Sequence, residues 1–599
     1  MTNFTGDPET LYRWRDEMAD LIESFPAATE GHSPVFSIVE TCAGPRLAVD
    51  GVAQPAVAAL PDPFEKPVLP VNEVPAMRDF ADAGVRLFSN VWSMRSRPHD
   101  WWKGEGVYDW ETFDALALGL LATCPDGWIM PRVKIEPPKW WCEAHPGEMS
   151  ASGEEVRADS VAWRTLYRRM LRDVIAHAEA SSYGTRIVGW HIGGLACGEW
   201  LDWNRSGAEI PSVPQRWMDD PLAPDKETAA RREYVRKRAK DAADALLDAA
   251  ALVKELTHGK LVCAFYGYGH AVEHGDMMRV VRSGLVDFFS APAYYVKGAR
   301  GVGDPGVVQA YCTSSYALHG RLFLEEADPR THLAKISENE GMSETLKASR
   351  PANLAQTVGV LRRFVGKNLA QGTALWWFLL AGNGTFQDAS MMATVKTGLE
   401  EEGRRISESR PRLTDVAVFT DADEYATCYD CHSPKLYEWK FALHTQVLPR
   451  TGVAYDSYEL SDIADPNLPD YKVYVFPNAF SPTDAEREAM ERLATAGKRI
   501  IRLEHPVAVE ELRRLLAEAG AHVWLDTGDV VFAGRGYLTV HASSAGAKEI
   551  RLPAPCNVSE IFGAEPKRKG VVSFSTKMSF GQTLVYSLRP LMKQNVSKP

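Results

Sequence analysis

Short apolar runs alternate with amphipathic stretches from the start of the chain to about residue 410. The alternation has the rhythm of strands followed by helices. The runs that read as strands cover residues 35–40, 85–90, 128–135, 187–192, 261–266, 286–290, 322–324 and 374–378. Between them lie helical patterns such as 162–178 and the long 227–256, and an amphipathic helix is predicted around 11–21. Strands alternating with helices imply a parallel sheet, and eight such units imply a closed (β/α)₈ TIM barrel. The proline-rich stretch 55–75 reads as a loop over the first strand.

Past residue 410 the texture changes. Runs at 412–419, 473–477 and 499–503 read as strands, and 485–497 as a helix closing on Gly497. This predicts a small α/β domain of flavodoxin-like type. From about 530 the helical pattern fades, and short strands at 538–541, 549–552, 571–574 and 583–587 predict a small antiparallel β-sandwich. The predicted domains are therefore 1–410, 411–530 and 531–599.

Composition narrows the function classes. Charged residues are 24%, hydrophobic residues 45% and the formal net charge is −12. No basic face is available to neutralise phosphates, so a nucleic-acid partner is not expected. No apolar run approaches the ~20 residues of a membrane helix, and no membrane partner is expected. The polar start, residues 1–10, lacks the basic and apolar regions of a secretory signal, which predicts a cytoplasmic protein with reduced cysteines. The cluster Cys428-Tyr-Asp-Cys431-His432 has the form of a c-type haem attachment sequence, yet no axial partner or further zinc ligand follows at usual spacing. It reads as packing or coincidence, and no cofactor or metal is expected.

In a barrel, chemistry sits where the strands end at their C-terminal side. Two acids stand at such ends. Glu199 follows the fourth strand on a run containing Gly193, Gly194 and Gly198, and Glu326 closes the seventh. The 127 residues between them divide into three steps of roughly 42, an ordinary strand–helix unit. Two carboxylates facing across a pocket are what glycosidic bond hydrolysis uses. Glu199, beside Trp200 and Trp203, has the apolar wall that raises an acid's pKa. Glu326 is followed by Asp328, Arg330 and Thr331, and Arg330 is a cation that would keep a nucleophile ionised. Side chains alternate along a strand, so either Glu325 or Glu326 faces the mouth, and Glu326 is preferred. The bland alternative for each acid is a solvated loop residue or an ion-pair partner.

Aromatic placement points the same way. Fifteen of the 17 tryptophans precede residue 410. Trp92, Trp140, Trp141, Trp190, Trp200, Trp376 and Trp377 fall at predicted strand ends, where flat rings could stack on the apolar faces of sugars. The alternative is that they fill the layer between barrel and helices. Asn90, Arg132, Glu136 and Arg330 are polar rim candidates, with Glu40 a weaker one; Glu136 could equally form an ion pair with Arg132 or Lys134. Tyr294 and Tyr295 follow strand six and could donate to the nucleophile.

Several stretches resemble clan A glycoside hydrolases, and within them family 42 β-galactosidases. They are Gly106-Val-Tyr-Asp-Trp110, Pro131-Arg132 through Trp140-Trp141, Gly189-Trp190-His-Ile192, Leu375-Trp-Trp-Phe378, and 455–478 in the second domain. The resemblance implies Glu199 as acid/base, Glu326 as nucleophile, a carbohydrate substrate, retention, exo action and a homotrimer built on the α/β domain. Family 42 places Asn-Glu directly after the Gly-Trp strand, whereas this chain has Gly193-Gly194-Leu195 there. The asparagine that meets the sugar 2-hydroxyl is missing, and the plan is also similar to family 164 β-mannosidases. A transglycosidase on the same pair, or a non-catalytic carbohydrate-binding barrel, are the alternatives.

Overall fold

The computed structural model describes residues 33–60, 70–90, 101–150, 153, 155–201, 226–269, 271–335, 347–380, 382–423, 441–477 and 482–591. The expected N-terminal helix, Trp92, Trp203 and the Cys428–Cys431–His432 cluster lie outside the described residues.

The barrel strands are Val57–Leu60, Leu87–Phe88, the split run Trp128–Ile129 and Arg132–Lys134, Gly189–Gly193, Leu261–Phe265, Phe288–Pro292, Leu322–Ala327 and Ala374–Phe378. They form one parallel sheet whose two ends are the two halves of the split third strand. The halves belong to one segment, so the sheet closes on itself. The third strand breaks at Pro131, which has no N–H to give to the ladder. Backbone bonds carry the closure across the break, from the Val188 N–H to Ile129 O (3.0 Å) and from the His191 N–H to Pro131 O (2.9 Å).

One strand differs from the expected set. Residues 35–40 do not open the barrel; Phe36–Thr41 pairs antiparallel with Gly44–Val49. The true first strand, Val57–Leu60, lies inside the proline-rich stretch read as a loop and pairs with strands two and eight. It is four residues long and half alanine, so it carries little of the branched-apolar signal that marks a strand. The hairpin caps the opposite end of the barrel from the mouth. Its buried Arg46 bonds Gly372 O (3.1 Å) and Thr373 O (3.3 Å), just before strand eight, and Glu402 at 2.5 Å. Glu40 is therefore not a rim residue; the charges nearest it are Arg535 and Arg46.

Strand register fixes which side chains face the barrel axis. Arg132, His191 and Cys263 are neighbours across strands three to five, and Pro292, Glu326 and Trp376 across strands six to eight. The His191, Phe265 and Trp376 rings meet inside the barrel, with centroids 4.9–5.8 Å apart. They form an aromatic floor.

The second unit is a four-stranded parallel sheet of Val416–Thr420, Tyr455–Glu459, Val473–Phe476 and Arg499–Arg502, in the sequence order 2-1-3-4. That is the flavodoxin-like order. Helix Asp484–Thr495 opens on a capping box made by Thr483 and Glu486. The third unit is a five-stranded antiparallel sheet, Val530–Gly534, Tyr537–His541, Gly546–Glu560, Arg568–Met578 and Thr583–Pro590. Side chains from all five strands share one core, which fits the expected β-sandwich. This sheet docks on the helix Leu354–Gln371, which joins barrel strands seven and eight. A Cβ at Gly359 would lie 2.0 Å from Gly581 O, so only glycine allows that approach.

Candidate active site

Strand seven turns consecutive glutamates to opposite sides. Glu325 points outward to helix Leu354–Gln371, where it meets Lys367 Nζ at 2.5 Å and the Asn368 amide at 2.7 Å. Glu326 therefore faces inward, beside Trp376. The alternation settles which acid reaches the mouth.

Glu199 arrives by an unusual route. After strand four the chain folds back over itself: the Trp200 N–H donates to Gly194 O (2.7 Å) and the Ala196 N–H to Leu201 O (2.9 Å). Leu195, Cys197 and Trp200 take positive φ of 56°, 56° and 57°. Such backbone costs of order 1 kcal/mol per non-glycine residue and concentrates at functional sites. Gly194 lies under the Trp200 ring, where a Cβ would come within 2.8 Å, and the indole N–H donates to Ile192 O (3.0 Å). The loop thus brings Glu199 back to the strand end that the sequence had passed six residues earlier.

The two carboxylates occupy one electrostatic neighbourhood. Burial raises the Glu199 carboxyl above its ordinary value, Arg132 and Lys134 pull it back, and Asp328 and Glu136 add to the rise. Burial, then Asp328, then Glu199 push Glu326 well above the ordinary carboxylate range, further than Arg132 and Arg300 draw it down. Arg132 acts on both acids. Its guanidinium sits 4.4 Å over the Phe265 ring and donates to Cys197 O (3.0 Å), on the Glu199 loop. Its N–H donates to Asn90 O (3.0 Å), which ties strand two's end to strand three. Glu136 is buried with Lys134 Nζ at 3.9 Å, an ion pair in the field of Glu199.

Asp328 gathers the cations expected at the nucleophile. Tyr295 donates its hydroxyl to Asp328, Arg300 binds the same carboxylate at 2.5 Å, and Arg330 stands at 3.6 Å. Tyr295 and Arg330 thus both meet Asp328, and Tyr295 also lies in the field of Glu326. Tyr294 donates to Gln309 O (3.1 Å).

The tryptophans divide. Trp376 faces inward beside Glu326. Trp377 faces outward, edge-on to Phe364 at 6.4 Å, because it is the next residue on the same strand. Trp190 points away from the axis for the same reason, since His191 faces in. Trp200 is fully buried in its own loop, and Trp141, 4% exposed, stacks on His145 at 4.3 Å. Trp140 is half-buried and packs edge-on against Trp102 at 6.3 Å. Of the described platform candidates, then, Trp190, Trp200, Trp141 and Trp377 are packing residues.

Two residues near the pair were not singled out from sequence. Tyr268, after strand five, is buried in the field of both Glu199 and Glu326. His274 accepts the Tyr268 N–H at Nδ1 (2.9 Å) and meets Glu199 O through Nε2 (2.9 Å). The run Tyr266-Gly-Tyr-Gly-His270 past strand five was the available signal, polar and glycine-rich at a strand end.

No described helix is long and apolar enough to cross a membrane. Neither a family model nor a curated protein matches the sequence. Solved structures do match. A β-galactosidase from the psychrophilic Marinomonas ef1 is 12% identical with a TM-score of 0.58, over 89% of this chain and 100% of its own. A family 42 β-galactosidase from G. stearothermophilus, solved as a catalytic mutant, is 10% identical with a TM-score of 0.60, over 89% and 98%. The cold-adapted β-galactosidase of Rahnella sp. R3 is 12% identical with a TM-score of 0.58, over 94% and 99%. The chain resembles these β-galactosidases along nearly its whole length, and at such identity the likeness is one of fold.

Proposed function

We propose that the protein is a retaining, exo-acting β-glycosidase that hydrolyses terminal β-linked sugars. One observation carries this reading: strand register turns Glu326 inward at the end of strand seven, into the field of Glu199, while Arg132 bonds the Glu199 loop and acts on both acids. A carboxyl raised by a neighbouring carboxylate holds its proton while that neighbour is ionised, so the pair keeps one proton, and that division supplies an acid and a nucleophile. In the free protein Glu326 is pushed up further than Glu199, and the mechanism requires the pair's proton on Glu199 once substrate is bound. Glu326 attacks the anomeric carbon while the bond from that carbon to the leaving oxygen breaks and Glu199 protonates that oxygen. Glu199, now a carboxylate, takes a proton from water, whose oxygen displaces Glu326. Two inversions give net retention. The matched structures are β-galactosidases, which makes a β-galactoside the first substrate to try. A β-mannoside is the second reading: Gly193-Gly194 presents no side chain where family 42 has the asparagine for the 2-hydroxyl.

A panel of 4-nitrophenyl β-glycosides, read for rate and for the first-formed product anomer, tests this. The expected result is cleavage of one sugar with a β-configured product. Glu199→Ala and Glu326→Ala should each lower kcat by ~10²-fold or more with the fold intact. Azide should restore turnover to the Glu199 variant, giving a β-glycosyl azide. An α-configured product, or wild-type rates in both variants, sinks the assignment. Running the reaction with and without an acceptor sugar separates hydrolysis from transglycosylation. We also propose a homotrimer through the α/β domain, by analogy with family 42; light scattering at three times the 66.4 kDa chain mass is the expected outcome, and a monomer overturns it.

A further inference from the structure

We propose that His274 is the positioning residue for the acid, holding Glu199 at the reach that proton delivery requires; this rests on the glycosidase reading above. The backbone on both sides of the Glu199 Cα is fixed. Its N–H donates to Ala196 O (2.9 Å), within the loop itself. Its carbonyl is held from a different strand's loop, by His274 Nε2 at 2.9 Å. The imidazole can do this in one form only. Nδ1 faces the Tyr268 N–H and must accept, so the ring proton sits on Nε2 and is donated to Glu199 O. The ring itself is well seated. It is 1% exposed, lies 4.3 Å from the Tyr266 ring and meets the Tyr268 ring edge-on at 4.9 Å. The Tyr266 hydroxyl donates to Glu273 O (2.9 Å), fixing the turn that carries His274.

The need for such a contact follows from the loop. Glu199 stands among three non-glycine residues with positive φ, a conformation the chain abandons unless it is over-determined. A displacement of about 1 Å at a catalytic group costs roughly 10²-fold in rate. His274 ties the strained segment to strand five, whose following loop also places Tyr268 between the two acids' fields.

Two near-isosteric variants separate positioning from packing. In His274→Gln the side-chain N–H reaches out to where Nε2 was, so the bond to Glu199 O survives. In His274→Asn the shorter amide still accepts from Tyr268 N–H but falls short of Glu199. Each is assayed on 2,4-dinitrophenyl, 4-nitrophenyl and phenyl β-glycosides of the sugar selected by the panel above, alongside Glu199→Ala. Acid assistance matters little for the first leaving group and most for the last. The expected result is that His274→Asn loses about tenfold to a hundredfold in kcat on the phenyl glycoside, little on the dinitrophenyl glycoside, with KM nearly unchanged. His274→Gln should stay within a few-fold of wild type on all three, and Glu199→Ala should show the steepest dependence. If Glu199→Ala shows that dependence but His274→Asn slows all three substrates equally, or His274→Gln is as impaired as His274→Asn, positioning is overturned and the glycosidase reading stands. If Glu199→Ala itself shows no dependence on the leaving group, the assignment of Glu199 falls, and this inference falls with it.

Discussion

Glu325 and Glu326 show how much one residue of register decides. They are adjacent and both buried, yet one is held by a lysine and an asparagine on a helix while the other faces its counterpart across the barrel. The alternation that separates them was readable in sequence, because consecutive strand residues must face opposite ways. The same rule applied to Trp190-His191 and Trp376-Trp377 would have sent one of each pair outward. What sequence did not contain was which. That depends on how strands four and eight are staggered against their neighbours, a property of the closed sheet. Tyr268 and His274 stayed unread for a similar reason, since His274 meets Glu199 across 75 residues. Glu326 also makes a prediction about pH. Its folded pKa is raised well above an unfolded value near 4.5, so the folded protein binds this proton more tightly than the unfolded chain. Stability is then unaffected below the unfolded pKa and falls as pH rises through the window up to the folded one. Glu326→Gln removes that loss. Its melting temperature should exceed the parent's at pH 7 to 8, with the gap closing near pH 4. A gap that grows toward low pH would mean the shift has the opposite sign.

At the scale of elements, seven of the eight barrel strands are visible as apolar runs, and both flanking units are recognisable from their change of rhythm. The miss is instructive. Residues 35–40 have the stronger apolar pattern but close a hairpin, while Val57-Ala-Ala-Leu60 is short, small and flanked by prolines. Small side chains suit a crowded barrel interior, and that demand comes from the packed fold rather than from local propensity. The strand-four loop carries a second lesson. The Gly193-Gly194 pair stands where the asparagine of family 42 is missing, with Glu199 displaced along the chain. In the structure it lets the chain fold back, so that Glu199 returns to the end of strand four. Gly194→Ala tests this. The new methyl would meet a Trp200 ring that cannot retreat without breaking its bond to Ile192 O. We expect a cost of about 1–3 kcal/mol in stability and a fall in kcat/KM of tenfold or more. Unchanged kinetics would show that the loop tolerates displacement.

Across the whole molecule, helix Leu354–Gln371 is where the barrel meets the C-terminal sheet. One side touches the C-terminal sheet, through the Gly359 approach to Gly581 O and a bond from the Thr583 hydroxyl to Gly359 O at 2.5 Å. Lys367 bridges inward to Glu325 and has the Phe532 ring of that sheet 6.0 Å away. Gly359→Val should push the sheet off the helix. Calorimetry is then expected to show the sheet melting ahead of the barrel, where the parent gives one transition; a single unshifted transition would mean the contact is not what joins them. The cost of that detachment would not stay local. Lys367 and Asn368 anchor the residue immediately before Glu326, so the C-terminal sheet, residues 530–590, acts as a brace behind the strand that carries Glu326. An effort to shorten this protein to its barrel would strip a glycine-faced helix of its cover and slacken the strand it steadies, leaving a smaller chain with the right residues and no firm place to hold them.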